Sequence, residues 1–380
     1  MVNLREPRTP GRLKVFLLAG EASGDAYGAE LIRNLKSQCA ERGWELEAVG
    51  WGGDLMKEEG MRLLTHLSQT SFMGFWEVAT HLRTILANLR RAQKDVVDEA
   101  PDVLLTVDFP GFNLRLAEAL RKRGHAALRV QWVAPQVWAW KAGRSAQLAQ
   151  DFHAVAPILP FEQPMLKGAN VNVWECGHPL LDLLPTNEHA ERPVALALLP
   201  GSRAQELKHH LGPTVQAAIL GAAQGRWNLE DVVVAGAPGR TLDDYAVATK
   251  AGLKVVFGQT HELLLRAQRA WVASGTATLE AALLNTPHVV LYRTSEITYQ
   301  LAKRLAKVEF IGLPNLLLGR GCVPELIQRD LTPDKLLAAT KGDFEGQREG
   351  FAELREALGG RGASARLAEK VLGAFAKAGA

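Results

Sequence analysis

Cysteine is scarce in this chain: Cys39, Cys176 and Cys322 are the only three in 380 residues. Their odd number and wide spacing exclude a disulfide framework or a zinc knuckle and favour a reducing, cytoplasmic setting. Long apolar runs are also missing. No stretch of about 18 apolar residues occurs, so no segment is expected to span a membrane. The opening residues MVNLREPRTPGR are polar and proline-bearing, without the apolar core of a signal peptide. Strong charge of either sign is absent. The formal net charge of +3 is too small to argue for a nucleic-acid partner. Metal-binding patterns are lacking as well: there is no HExxH and no DxD, and His209-His210 is not read as a metal pair. Neither a metal nor another cofactor is therefore expected. Gly20-Glu21-Ala22-Ser23-Gly24 has the wrong spacing for the G-x-S-x-G nucleophile elbow, so no Ser–His–Asp triad is supported.

What the chain does have is a recurrent alternation. Short apolar runs ending in Gly, Pro or Asp are each followed by a helical pattern. In the first half the runs are KVFLLAGE, LEAVGWGG, DVLLTVDFPGFN, ALRVQWVAP, FHAVAPILPFE and VNVWECGHP. The polar, proline-bearing DLLPTNEHAERP, residues 182–193, reads as a linker, after which VALALLPGSR, DVVVAGAPG, KVVFGQ, AWVASGTATLE and HVVLYR restart the pattern. Near-continuous apolar runs between helices indicate parallel strands buried on both faces. The expected fold is α/β, two doubly wound Rossmann-like domains with a cleft between them. The domains are expected at residues 12–185 and 190–349, with a helix over about 350–380 returning to the first. Ligands of such sheets bind beyond the carboxyl ends of the strands, so the strand-end motifs are the candidate sites.

The first such motif, AGEASGDAYG, spaces Gly20, Gly24 and Gly28 four apart. The dinucleotide fingerprint needs the tighter G-x-G-x-x-G, so a dinucleotide is not indicated. At the end of DVLLTVDFPGFN, Asp108 is a candidate general base whose pKa burial could tune, against the plainer reading of a turn aspartate. In the second half, Pro200-Gly201-Ser202-Arg203 opens a helix. Glycine turns at helix N-termini suit phosphates, and Arg203 could add a bidentate contact; a capped turn with a surface arginine is the alternative. Ala273-Ser274-Gly275-Thr276 repeats the arrangement, with Thr276 or Thr278 able to cap. Glu280 could take both hydroxyls of a ribose, or could be a capping-box glutamate. Together these residues describe a nucleoside diphosphate site. Finally, SFMGFWEVATHLRTILANLRRAQK combines a wide apolar face with several arginines. By pattern it reads first as a helix facing a core, and second as one lying in a membrane interface.

With AGEASGD, SFMGFWEV, VDFPGFN, VAPQVWAW, LPFE, ECGHP, LLPGSR, ASGTATLE, YR and LPNLLLGR in this order, the chain resembles the lipid-A-disaccharide synthases, glycosyltransferases of the GT-B fold. The resemblance implies transfer from UDP-2,3-diacylglucosamine to 2,3-diacylglucosamine 1-phosphate, with inversion and release of UDP. It implies Asp108 as the base that activates the acceptor, and Arg203 as an essential arginine. Glu21, Ser23 and Asn315 match further active-site positions, with Gly201, Ser202, Arg203, Gly275, Thr276 and Glu280 on the donor nucleotide. Trp76, Val78, Leu82, Ile85 and Leu86 match a patch that touches the membrane, which implies a cytoplasmic enzyme peripheral to the inner membrane. The first turn is then expected to turn Glu21, Ser23 and Asp25 toward the sugar. A UDP-N-acetylglucosamine 2-epimerase and a non-catalytic, membrane-peripheral lipid-binding homologue stay open as alternatives, as does a homodimer. GWGGDLM departs slightly from the family pattern and touches no named catalytic position.

Overall fold

In the computed structural model, the described residues are 11–69, 82–135, 144–185, 191–296, 299–300, 309–342 and 344–379. They form two compact units. One comprises the chain up to Leu183 together with Leu358 onward; the other is Leu184–Ala357. Each contains a six-stranded, all-parallel sheet.

The first sheet has strands β1 (Arg12–Ala19), β2 (Glu45–Gly52), β3 (Arg62–His66), β4 (Val103–Val107), β5 (Leu128–Trp132) and β6 (Ala154–Ala156), in the order β3-β2-β1-β4-β5-β6. The second has β7 (Leu196–Leu199), β8 (Val232–Gly236), β9 (Lys254–Phe257), β10 (Ala270–Ala273), β11 (His288–Tyr292) and β12 (Glu325–Ile327), in the order β12-β11-β10-β7-β8-β9. Both orders are 3-2-1-4-5-6 when each sheet is numbered from its own first strand. The order in which strands are added therefore reverses between β1 and β4, and again between β7 and β10. Crevices at the carboxyl ends of those strand pairs are where open parallel sheets take ligands.

The central strands are mostly apolar because helices cover both faces. All five residues of β4 are buried, as are all five of β8. Phe16, Leu18, Trp51, Leu104, Phe112 and Leu116 form part of a core beneath the helices Leu82–Glu99 and Pro110–Lys122. In the second unit Trp271, Tyr245, Leu198 and Val215 belong to the corresponding core.

Three features differ from the sequence reading. VNVWECGHP is not a strand; only the isolated bridge Val155–Val173 extends the sheet there. The edge strands β3 and β12 take the outer places instead, in stretches too short and polar to show a buried pattern. Within residues 350–380 the chain divides. The helix Glu345–Ala357 lies in the second unit, and Ala363–Gly379 in the first. The helix Ala363–Gly379 packs on Ala22–Glu41, where Trp44 meets Phe375 edge-on at 5.4 Å and Gln38 Nε2 donates to the Ala365 carbonyl at 2.9 Å. Its N-terminus is held by the Asp182 carboxylate, which accepts from the N–H groups of Gly362, Ala363 and Ser364. ECGHP supplies further anchors: the Cys176 carbonyl accepts from Arg366 Nε, and the His178 N–H donates to Leu358. Asp182, read as the first linker residue, is thus part of the first unit.

Candidate active site

At the β1/β4 crevice the chain places Glu21 immediately after Gly20, and Asp108 immediately after Val107. A Cβ on Gly20 would fall 2.5 Å from the Phe109 ring, so only glycine lets the two strand-end turns approach. Asp108 is half-buried and Glu21 exposed. Burial, and secondarily the negative charge of Glu21, raise the Asp108 carboxyl to about pKa 6; the Phe109 N–H partly offsets this. Such a group exists in both protonation states near neutrality, as a general base requires.

Asp108 and Phe109 are both left-handed, with φ of +49° and +48°. For non-glycine residues that conformation costs roughly 1–2 kcal/mol each. Surrounding bonds hold it. The Asp108 N–H donates to the Trp132 carbonyl at 2.9 Å. The Asp108 carbonyl accepts from Asn113 Nδ2 at 2.6 Å and from Gln131 Nε2 at 3.1 Å.

The rest of the first turn behaves differently. Ser23 is half-buried in the first turn of the helix Ala22–Glu41. Asp25 does not face the site. It is 4% exposed, and its carboxylate accepts from the N–H groups of Gly53, Leu55 and Met56. It caps the short helix Asp54–Glu58 and so ties GWGGDLM to the first turn.

At the β7/β10 crevice, Gly201 has φ +114°, and the Glu206 carboxylate folds back over it to accept from the Ser202 and Arg203 N–H groups at 2.9 and 3.2 Å. The alternative of a capped turn with a surface arginine is therefore realised here, and those two amides serve the helix itself. What the turn offers an anion is the Arg203 side chain, 69% exposed and only 3.8 Å from Glu206. Arg240 Nε donates to the Ser202 carbonyl and steadies the turn.

The second glycine turn reverses that outcome. Gly275 is the N-cap of Thr276–Leu283, with Thr276 exposed as the first helical residue. Thr278 donates to the Gly275 carbonyl at 2.7 Å. Glu280 lies beyond the capping-box position, half-buried and 3.5 Å from His261 Nε2.

Asn315 needs correcting as a catalytic candidate. It is 1% exposed; its Oδ1 accepts from Cys322 and Val323 N–H, and its Nδ2 donates to the Val323 carbonyl and to Glu325. Both lone pairs and both N–H groups are used, leaving nothing for a substrate. It organises the loop before β12. His210, dismissed as a metal ligand, also has a structural use. It bridges the Pro200 carbonyl and the Arg293 N–H at 2.8 and 2.9 Å, tying the ends of β7 and β11 together. Burial lowers its pKa, consistent with a neutral ring that donates from Nδ1 and accepts at Nε2.

Trp76 and Val78 lie outside the described residues, as does the Leu82 side chain. In the helix Leu82–Glu99, Ala92 and Val96 are buried in the core, Ile85 is half-buried and Leu86 is 40% exposed. Its second half thus follows the core reading, while Leu86 stays uncovered.

Residues 15–356 match the family model described as lipid-A-disaccharide synthetase. The lipid-A-disaccharide synthase of Azotobacter vinelandii is 38% identical over 380 residues, covering 95% of this chain and 98% of the relative. That of Anaeromyxobacter dehalogenans strain 2CP-C is 37% identical over 377 residues, covering 95% and 97%. The chain belongs to the lipid-A-disaccharide synthase family. The match spans the strand ends of both sheets, Gly20 to Glu325. Solved structures share the fold at much lower identity. A UDP-GlcNAc 2-epimerase from Neisseria meningitidis, bound to UDP-GlcNAc, has a TM-score of 0.62 at 11% identity, covering 95% of this chain and 99% of that one. The calicheamicin glycosyltransferase CalG4 has a TM-score of 0.58 at 16% identity, covering 97% and 99%. The epimerase alternative has fold likeness alone behind it, whereas sequence identity over nearly the whole chain places it with the synthases.

Sequence reading passed over Gln131 and Asn113. A glutamine within the buried strand LRVQW was the available signal, because a fully buried amide must find partners.

Proposed function

We propose that this enzyme joins UDP-2,3-diacylglucosamine to 2,3-diacylglucosamine 1-phosphate, forming a β-1,6-linked disaccharide phosphate and UDP. The observation that carries this reading is Asp108, a carboxyl raised to about 6 at the β1/β4 crevice of a chain belonging to this family. The acceptor hydroxyl oxygen attacks the donor's anomeric carbon as its bond to the diphosphate oxygen breaks. Asp108 receives the hydroxyl proton. Arg203 pairs with the diphosphate as negative charge grows there, while Thr276, the Gly275 turn and Glu280 hold the nucleoside. Burial, helped by the negative charge of Glu21, keeps the proton affinity of Asp108 high enough to be useful.

Purified protein in detergent micelles should release UDP only when both acylated sugars are present, with the disaccharide as product. UDP-N-acetylglucosamine interconversion without transfer would move the assignment to an epimerase.

No helix among the described residues is long and apolar enough to cross a membrane. The acylated substrates reside in the bilayer, so the enzyme works from the cytoplasmic surface of the inner membrane, where the exposed Leu86 and the neighbouring arginines contact lipid. Leu86→Glu should weaken binding to anionic phospholipid vesicles at least about 5-fold and leave the melting temperature unchanged, since an exposed side chain adds little to the core. Unchanged vesicle co-sedimentation would remove Leu86 from the contact.

A further inference from the structure

We infer that Gln131 and Asn113 are positioning residues for catalysis: together they hold the left-handed Asp108–Phe109 turn that aims the base. The inference rests on Asp108 being the base, as proposed above.

Both side chains are fully buried. Gln131 stands in β5, the strand that pairs with β4, and its Nε2 faces three carbonyls, those of Asp108, Trp132 and Val133, at 3.0–3.1 Å. Its Oε1 accepts from Thr106 Oγ1 at 2.6 Å, which fixes the amide's orientation from the neighbouring strand. Val133 is itself left-handed, with φ +65°. One amide therefore gathers the two irregular strand ends, after β4 and after β5. Asn113 approaches the same Asp108 carbonyl from the helix Pro110–Lys122. Its Oδ1 has no hydrogen-bond partner among the described residues, so its contribution is the single Nδ2 bond to Asp108.

Consecutive left-handed residues without glycine revert to ordinary backbone unless their surroundings over-determine them. Here the over-determination converges on one carbonyl, that of the candidate base. Loss of either donor frees the peptide after Asp108 to rotate, and the carboxylate turns with it. The reacting oxygen and the base then lose the short approach that proton transfer needs.

The test uses Gln131→Met, which keeps volume and removes both donors, and Asn113→Ala, assayed separately with the full chain in micelles. Each should lower kcat at least about 10-fold with KM changed less than about 2-fold, because the lost interaction acts on the transition state. The pH midpoint of kcat/KM should also move away from the wild-type value, a response that general loosening of the fold does not give. UDP affinity, read on the second unit, serves as the integrity control and should stay at the wild-type value. Near-normal kcat with an unmoved pH midpoint in both variants would overturn the inference. If Gln131→Met does not fold, Asn113→Ala decides alone. A wild-type enzyme that binds UDP yet transfers no sugar would instead sink the functional reading itself.

Discussion

Asp108→Asn should lower turnover at least about 100-fold, the scale of losing a general base, and at the same time make the protein more stable above pH 6. The two effects share a cause. In the folded chain the carboxyl keeps its proton up to about pH 6, whereas its ordinary value is 3.8. Between those values the folded state binds more protons than the unfolded state, so stability declines as pH rises through the window and levels off above it. An amide at position 108 carries no charge to desolvate and no repulsion from Glu21. The variant should gain on the order of 3 kcal/mol near pH 8, with the gain vanishing by about pH 4. Urea denaturation at those two pH values measures the gain, and the pH dependence of kcat/KM in the wild type should rise through about 6. A variant equally active, or one with the same stability difference at both pH values, would contradict the assignment of Asp108 as a burdened base.

Arg203→Ala should reduce kcat/KM by about 100-fold or more while leaving the melting temperature almost unchanged, because the arginine acts on charge that develops in the reaction. The separation of the two effects follows from geometry. The side chain is 69% exposed and its one ion pair among the described residues is loose, 3.8 Å from Glu206, so it does little for the fold. The turn that carries it is held independently by the Glu206 carboxylate and by Arg240. Arg203→Lys should recover only part of the loss, since an ammonium keeps the charge but not the two-pronged geometry that matches a diphosphate. Steady-state kinetics with both acylated sugars, beside differential scanning calorimetry, would show it. A large drop in melting temperature would mean that Arg203 is structural.

Much of this was legible in the sequence. Apolar runs alternating with helices follow directly from burying a parallel sheet on both faces, and β1, β4, β7 and β10 fall where those runs do. Asp108, Arg203 and the Gly275 turn were readable for a related reason: a polar residue right after a buried strand sits at the sheet's carboxyl edge wherever the rest of the chain goes. The edge strands β3 and β12 were not legible, since they are short and only partly buried. The ambiguity between an anion-binding turn and a capping box was not resolvable either, because both use the same residues at the same spacing. Glu206 turned out to cap and Glu280 did not, and only the helix start distinguishes them.

The sequence by itself determined the two doubly wound sheets, the absence of a disulfide framework, and the residue types at the strand ends, because each depends on local periodicity and chain order. The tertiary structure alone decided which polar groups remain free to act. Asp25 and Asn315 are consumed by backbone partners 28 and 7 or more residues away in sequence. Asp108 keeps its carboxyl available, and Gln131 and Asn113 brace its turn. Hydrogen-bond saturation depends on which distant N–H and C=O groups folding brings within about 3 Å, and no pattern along the chain encodes that distance.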